Sequence, residues 1–435
     1  MIEKFFMPSN HNMKKTYIWT VLAGSVYAGS SFLMSMFTSK YIGVAQAGIL
    51  ALALTIGNQL VTIGLYNIRT FQVSDVTEKY TFSDYCVLRV LTVSAMLLVG
   101  VIWVLKDSHQ GVKLAAIGFA ILFRAIEAVS DLLEGRYQQK GRYDVACKGV
   151  FVKVLSYLAA FLVTLFLTKN IAAALGALAV TYLIMLCVID SRLIGRFGGI
   201  SFQTTWMRQK GLLLEGLPLF VNAFLNAYII NASKYALDKY YDSETLGIFN
   251  VLYMMAFVVN MFASFVLKPI ISVLAEKYVK RDISGFVKLI LRQVAVILTV
   301  TLVCIGGAWL LGVPVLGFLF GVDLAHYKGA LCVVLISGGF TALYQLLQYG
   351  IIIMRHQYST FVCCGLTVVL TYVLTPILTK RYAVMGASAS YTISIGFMSA
   401  MFLGFFVYHL QRDKKKHYET NMYFCLSLFS LSGRN

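Results

Sequence analysis

Four ionisable residues stand inside one otherwise apolar stretch of the chain: Arg124, Glu127, Asp131 and Glu134. Their spacing of i, i+3, i+7 and i+10 puts all four on one face of a helix. If that helix ends near residue 134, Arg124 lies about 15 Å inside it at 1.5 Å per residue, close to the centre of a bilayer. A lone charge there costs at least about 2.5–3.5 kcal/mol, so this face must meet a wet cavity or partners of opposite sign. Basic groups in such a place attract a phosphorylated anion. Carboxylates beside them keep that attraction reversible or carry a coupling ion, H+ or Na+. The structural alternative is an ion-pair network that only ties neighbouring spans together.

Other residues extend the set. Arg69 closes the second apolar stretch, Arg89 lies just inside the third, and Lys148 and Lys153 lie in the fifth. Lys268 ends the eighth. Arg69, Arg89, Arg124, Lys153 and Lys268 are the candidate anion-binding cations, with Lys148 at a depth comparable to Lys153, and Glu127 and Asp131 are the candidate coupling or ion-pair residues. The second half offers amides instead: Asn222 and Asn226 share a face at i, i+4, with Lys234 further along the same stretch. Amides suit sugar hydroxyls and also join helices in lipid. Lys234 stands four residues before Asp238, a spacing that allows pairing or snorkelling.

Conventional catalytic machinery is missing. The eight cysteines form no CxxC and no Cys/His metal spacing, the histidines are dispersed, and no phosphate-binding G-x-x-x-x-G-K-[ST] loop occurs. The sequence therefore reads as a non-enzyme without a cofactor, driven by an ion gradient, a membrane potential or the substrate's own gradient.

These residues must be positioned by membrane helices. The chain is 59% hydrophobic and only 13% charged, more apolar surface than a soluble protein of 435 residues can bury. Twelve stretches long enough to span follow one another, near 16–38, 44–68, 84–106, 112–133, 146–168, 171–190, 213–236, 246–267, 288–311, 329–353, 359–379 and 384–408. In lipid such spans must be helices, so the expected class is all-α and polytopic. Of the 37 Lys and Arg, 27 fall on one side of the expected topology and nine on the other, with Arg124 in mid-span. That bias places both termini in the cytoplasm and turns the basic loops toward anionic membrane lipid, with no nucleic-acid partner needed.

A shift of 199 residues aligns Gly48-Ile49 with Gly247-Ile248, Lys40 with Lys239, Arg69 with Lys268 and Arg89 with Lys288. The even number of spans per half makes this a parallel repeat. The expected organisation is two pseudo-symmetric six-helix bundles, 1–200 and 201–411, around a central cavity, then a basic tail, 412–435. Pro218 lies inside the seventh span, where it removes a helix hydrogen bond and permits a kink.

The segments YIGVAQAGIL (41–50), GLYNIRTFQVSD (64–75), RAIEAVSDLLEGRYQQKGRYD (124–144), NASKYALDKYYDSETLGIFN (231–250) and KPIISVLAEKY (268–278) carry a resemblance in their order and spacing. The chain resembles the polysaccharide, or lipid-linked oligosaccharide, flippases of the multidrug/oligosaccharidyl-lipid/polysaccharide exporter superfamily. The resemblance implies a bacterial inner-membrane protein that moves an undecaprenyl-pyrophosphate-linked repeat unit from the cytoplasmic to the outer leaflet for capsule, exopolysaccharide or O-antigen assembly. It implies a cationic cavity for the pyrophosphate and, as partners, glycosyltransferases and a polysaccharide polymerase. Glu127 and Asp131 depart from a purely cationic lining. The alternatives are a cation-coupled multidrug and toxin antiporter, which calls for a carboxylate-dominated pocket, and a membrane-embedded polymerase or acyltransferase, which calls for a large external loop or a buried His/Asp pair.

Overall fold

The computed structural model describes residues 5–7, 13–75, 78–106, 109–356 and 358–432, with the side chains of all of these except 257, 258, 260–269, 272 and 414–432. The helices are α1 (Met13–Ile42), α2 (Val44–Leu65), α3 (Phe82–Lys106), α4 (Gly111–Gln139), α5 (Tyr143–Thr168), α6 (Ile171–Met185), α7 (Trp206–Tyr240), α8 (Ser243–Val279), α9 (Ile283–Gly307), α10 (Lys328–Ile353) and α11 (Tyr358–Ser432). Among the described residues there is no strand, and nine helical stretches are long and apolar enough to cross a bilayer. The rest of the expected series is accounted for by α4, whose charges lower its hydropathy, by α8, and by α11, which breaks at Ala383 (φ 47°) and so holds two spans. The chain is an all-α polytopic membrane protein, as its long apolar stretches require.

The helices group into two compact units, Met1–Val251 with Pro314–Leu324, and Leu252–Val313 with Ala325–Asn435. The sequence led to an expected division at residue 200; the first unit takes in α7 as well as α1–α6.

Within the first unit α2 is the central rod. Its apolar window is 67% buried, against 22% for α1 and 28% for α3. Association in lipid rests on close packing and not on expulsion of apolar groups from water, so small residues belong at such contacts. A Cβ on Gly57 would lie 3.2 Å from the Ala120 carbonyl oxygen of α4, and one on Gly64 would lie 2.8 Å from the Met96 sulfur of α3.

The end of α2 decides where Arg69 goes. Tyr66 (φ 48°) and Asn67 (φ 49°) are both left-handed and turn the chain into the short helix Arg69–Ser74. Such a conformation costs a tyrosine about 1–3 kcal/mol. It is held by ring stacking on Phe220 at 4.9 Å and by the Tyr66 hydroxyl, which donates to the Leu213 carbonyl at 3.1 Å. The short helix then lies against α4: the Gln72 amide donates to Leu132 O at 3.1 Å, and Gly135 leaves the room this needs.

A second local device ends α6. The π-helical turn Leu186–Asp190 follows it directly. The wider turn brings Asp190 to the interior, where it is 1% exposed.

The second unit is built differently. Thr367, Thr371, Thr375 and Thr379 line one buried face of α11, and Thr367 and Thr371 bond back to carbonyls four residues earlier. Hydroxyls stand there where the first unit has charges.

Candidate functional site

Along α4 the ionisable face meets three groups of partners. Nearest the middle of the helix, Arg124 is ion-paired to Glu127 and donates to the Tyr27 hydroxyl of α1 at 3.2 Å. Tyr27 in turn donates to the other Glu127 oxygen at 2.8 Å. Arg124 is buried and does not face outward.

Two turns further on, Asp131 is shared by two arginines. Arg69 Nη1 reaches its Oδ1 at 2.7 Å, and Arg89 Nη2 reaches its Oδ2 at 3.1 Å. Arg89 also donates to the Gly64 carbonyl at 2.6 Å, which anchors it to α2. Arg69 also approaches Glu134 at 3.4 Å and Gln138 at 3.3 Å.

Lys153 of α5 is the third centre. It lies 3.0 Å from both Glu134 Oε1 and Asp190 Oδ2, and donates to the Ser130 hydroxyl as well. Tyr137 donates to the second Asp190 oxygen at 3.0 Å. Lys153 is 0% exposed, and every proton of its ammonium has an acceptor.

The cluster is charge-balanced: Arg69, Arg89 and Lys153 face Asp131, Glu134 and Asp190. Its members are not equivalent in exposure. The Arg89 and Lys153 side chains are 2% and 0% exposed, whereas that of Arg69 is 28% exposed. Arg69 and Asp131 line an open cleft of about 530 Å³ together with Asn67, Ser74 and Gln138. The chemical consequence follows from the cost of breaking each pair. A partly exposed ion pair contributes about 0–1 kcal/mol. Removing one partner of a buried pair costs about 3–5 kcal/mol. Arg69 can therefore leave Asp131 for an incoming anion, since Arg89 continues to neutralise that carboxylate. Lys153 and Arg89 cannot move in that way. A guanidinium is also suited to take two phosphate oxygens at once.

The structure thus joins Arg69, Arg89, Asp131 and Lys153 in one network and sets Arg124 with Glu127 in a neighbouring one. Lys148, expected at comparable depth to Lys153, instead donates to the Phe5 carbonyl at 2.9 Å. Asn222, Asn226 and Lys234 lie on α7. The Oδ1 atoms of Asn222 and Asn226 are buried and, among the described residues, accept no hydrogen bond. Asp238, four residues after the buried Lys234, is bound to Lys113 and, at 2.9 Å, to His109. The Lys268 side chain lies outside the described residues. Tyr27, Ser130 and Asp190 are network members that sequence reasoning missed. Asp190 had one legible signal, an acid at the very end of an apolar run.

Among the described residues no group of three or more His, Cys, Asp or Glu side chains is arranged to hold a metal ion.

No family model matches the chain, and no curated protein matches it in sequence. Solved structures do. The lipid II flippase MurJ, in an inward closed conformation, aligns with a TM-score of 0.71 at 11% identity over 89% of this chain and 87% of that one. An inward-facing multidrug resistance MATE family transporter of the MOP superfamily aligns with a TM-score of 0.64 at 13% identity, over 95% and 98% of the two chains. The fold is that of the MOP-superfamily transporters. A third MOP structure, from Pyrococcus furiosus, aligns with a TM-score of 0.59 at 14% identity over 92% and 94%, and was described as having a binding pocket of reversed polarity that suggests a different function.

Proposed function

We propose that this chain is a secondary transporter of a lipid-linked anion, an oligosaccharide carried on a polyprenyl pyrophosphate. It moves the repeat unit from the cytoplasmic to the outer leaflet of a bacterial inner membrane during surface polysaccharide assembly. Glycosyltransferases supply the substrate and a polymerase consumes it, while an H+ or Na+ gradient drives the cycle. The observation that carries this reading is the position of Arg69: half-buried, on the wall of an open cleft, and backed by a second arginine on the same carboxylate. The same fold is used by the lipid II flippase MurJ, which supports a lipid-linked substrate.

The multidrug antiporter reading is weaker on the same observations. An organic cation calls for carboxylate in excess, and Glu127, Asp131, Glu134 and Asp190 are each held by a cation.

Binding in nanodiscs tests the proposal. A short-chain polyprenyl pyrophosphate is titrated into the wild type, Arg69→Lys and Arg69→Gln. Affinity falls about tenfold or more for Arg69→Gln, in line with loss of a charge-assisted bidentate contact, and Arg69→Lys lies between. Equal affinity for all three removes Arg69 from the site.

A further inference from the structure

The short helix that carries Arg69 cannot hold its own place. It has six residues, Arg69–Ser74. An isolated helix is only marginally stable in water below about 12–15 residues, so this one is placed by what it packs on. Ile68, the residue before Arg69, is buried in one apolar cluster with Leu132 and Leu133 of α4, and Phe71 packs against that cluster. Leu132 and Leu133 stand between Asp131 and Glu134 in the chain. The cluster therefore backs both the helix that carries Arg69 and the turn that presents its carboxylate partners.

A segment from before α1 completes it. Phe6 is buried in the same cluster at 4% exposure, and Met7 packs against it. So short an arm needs a fastening, and Lys148 of α5 supplies one. Its ammonium donates to the Phe5 carbonyl at 2.9 Å and to the Phe6 carbonyl at 3.4 Å. It also lies over the rings of Phe5 and Trp19, at 5.5 Å and 5.8 Å. Phe5 meets Trp19 edge-on at 5.7 Å, and Trp19 meets Phe151 of α5 at 5.5 Å. Lys148 is buried, and a buried ammonium needs acceptors; here the arm's own carbonyls are two of them. Asp144, 3.9 Å from Lys148, is already held by Arg142 at 2.9 Å.

We propose that Phe6, fastened by Lys148, is a positioning residue for Arg69. The docked arm completes the cluster on which the short helix rests, and so keeps the guanidinium on the wall of the cleft. This deepens the transporter reading above and rests on it. A two-point contact between guanidinium and phosphate depends on placement, and a shift of about 1 Å weakens it. Removing the Phe6 ring or its fastening frees a helix too short to stand alone.

The experiment uses the full chain in nanodiscs. In a background whose eight cysteines are replaced by serine, a spin label at Ser74→Cys, an exposed position on the short helix, reports its mobility. With the arm intact the spectrum is immobile. Phe6→Ala and Lys148→Met add a mobile component, and Lys148→Arg, which keeps the cation, does not. Phe161→Ala removes a fully buried ring of α5 outside the cluster and leaves the spectrum unchanged. On the unlabelled proteins, Phe6→Ala lowers affinity for a short-chain polyprenyl pyrophosphate about threefold or more while Arg69 is present. It causes no further fall when added to Arg69→Gln, as expected of two residues that act through one contact. Immobile spectra in both Phe6→Ala and Lys148→Met overturn the proposal, and so does an equal loss of affinity with and without Arg69. Where Phe6→Ala fails to fold, Lys148→Met decides by the same two readouts, since it leaves every ring in place and Asp144 still bound to Arg142. Mobile spectra in a protein that binds no pyrophosphate lipid keep the positioning role and remove the substrate assignment.

Discussion

Arg89 and Arg69 divide one carboxylate between them: Asp131 meets the buried arginine at 3.1 Å through Oδ2 and the half-buried one at 2.7 Å through Oδ1. This sharing separates a fixed cation from a movable one. Arg69→Gln accordingly leaves the fold nearly intact, with a loss of about 0–1 kcal/mol, while lipid-anion flux falls at least tenfold. Thermal unfolding in detergent and flux in proteoliposomes, measured on the same preparation, check the split.

Lys153 shows the opposite pattern. Lys153→Met leaves Glu134 and Asp190 buried without their cation and costs about 3–5 kcal/mol. A large fall in unfolding temperature is expected, partly recovered in the double variant with Asp190→Asn. A Lys153→Met protein as stable as the wild type contradicts the assigned role.

Glu127 is the candidate for ion coupling, because Tyr27 and Arg124 hold both of its oxygens near the middle of α4. Glu127→Gln retains exchange of lipid-linked anion down its own gradient and loses the acceleration produced by an imposed H+ or Na+ gradient. Undiminished acceleration in this variant moves the coupling site elsewhere.

Outside the spans, Glu78 ties the loop after the short helix Arg69–Ser74 to α4. Hydrogen bonds from Lys140 and then Arg136 hold its carboxyl below the ordinary range. A depressed carboxyl stabilises the fold fully above its unfolded value of about 4.3 and loses that contribution as pH falls through the lower folded value. The difference in unfolding temperature between the wild type and Glu78→Gln is therefore constant near neutrality and shrinks toward zero below about pH 4.

The helical class and the charged face of α4 were legible because both follow from local spacing. Arg124, Glu127, Asp131 and Glu134 share a face in any helix. Their partners were not legible. Asp190 reaches Lys153 only because α6 ends in a π-helical turn, and Arg69 reaches Asp131 only because Tyr66 and Asn67 adopt left-handed backbone. Neither irregularity has a periodic signature. Tyr27 joined the site through tertiary packing of α1 on α5 and α2, to which hydropathy is blind. The close approach of Gly48 and Gly247 has no signature in the sequence.

The central claim is that the half-buried arginine of a balanced cluster, Arg69, receives a pyrophosphate-linked lipid. It is tested most directly by following a fluorescent polyprenyl-pyrophosphate oligosaccharide and an organic cation together in the same proteoliposomes, with wild type and Arg69→Gln in parallel. The account predicts that wild-type protein moves the lipid-linked sugar and not the cation, and that Arg69→Gln moves neither. Transport of the cation alone, unaffected by Arg69→Gln, contradicts it.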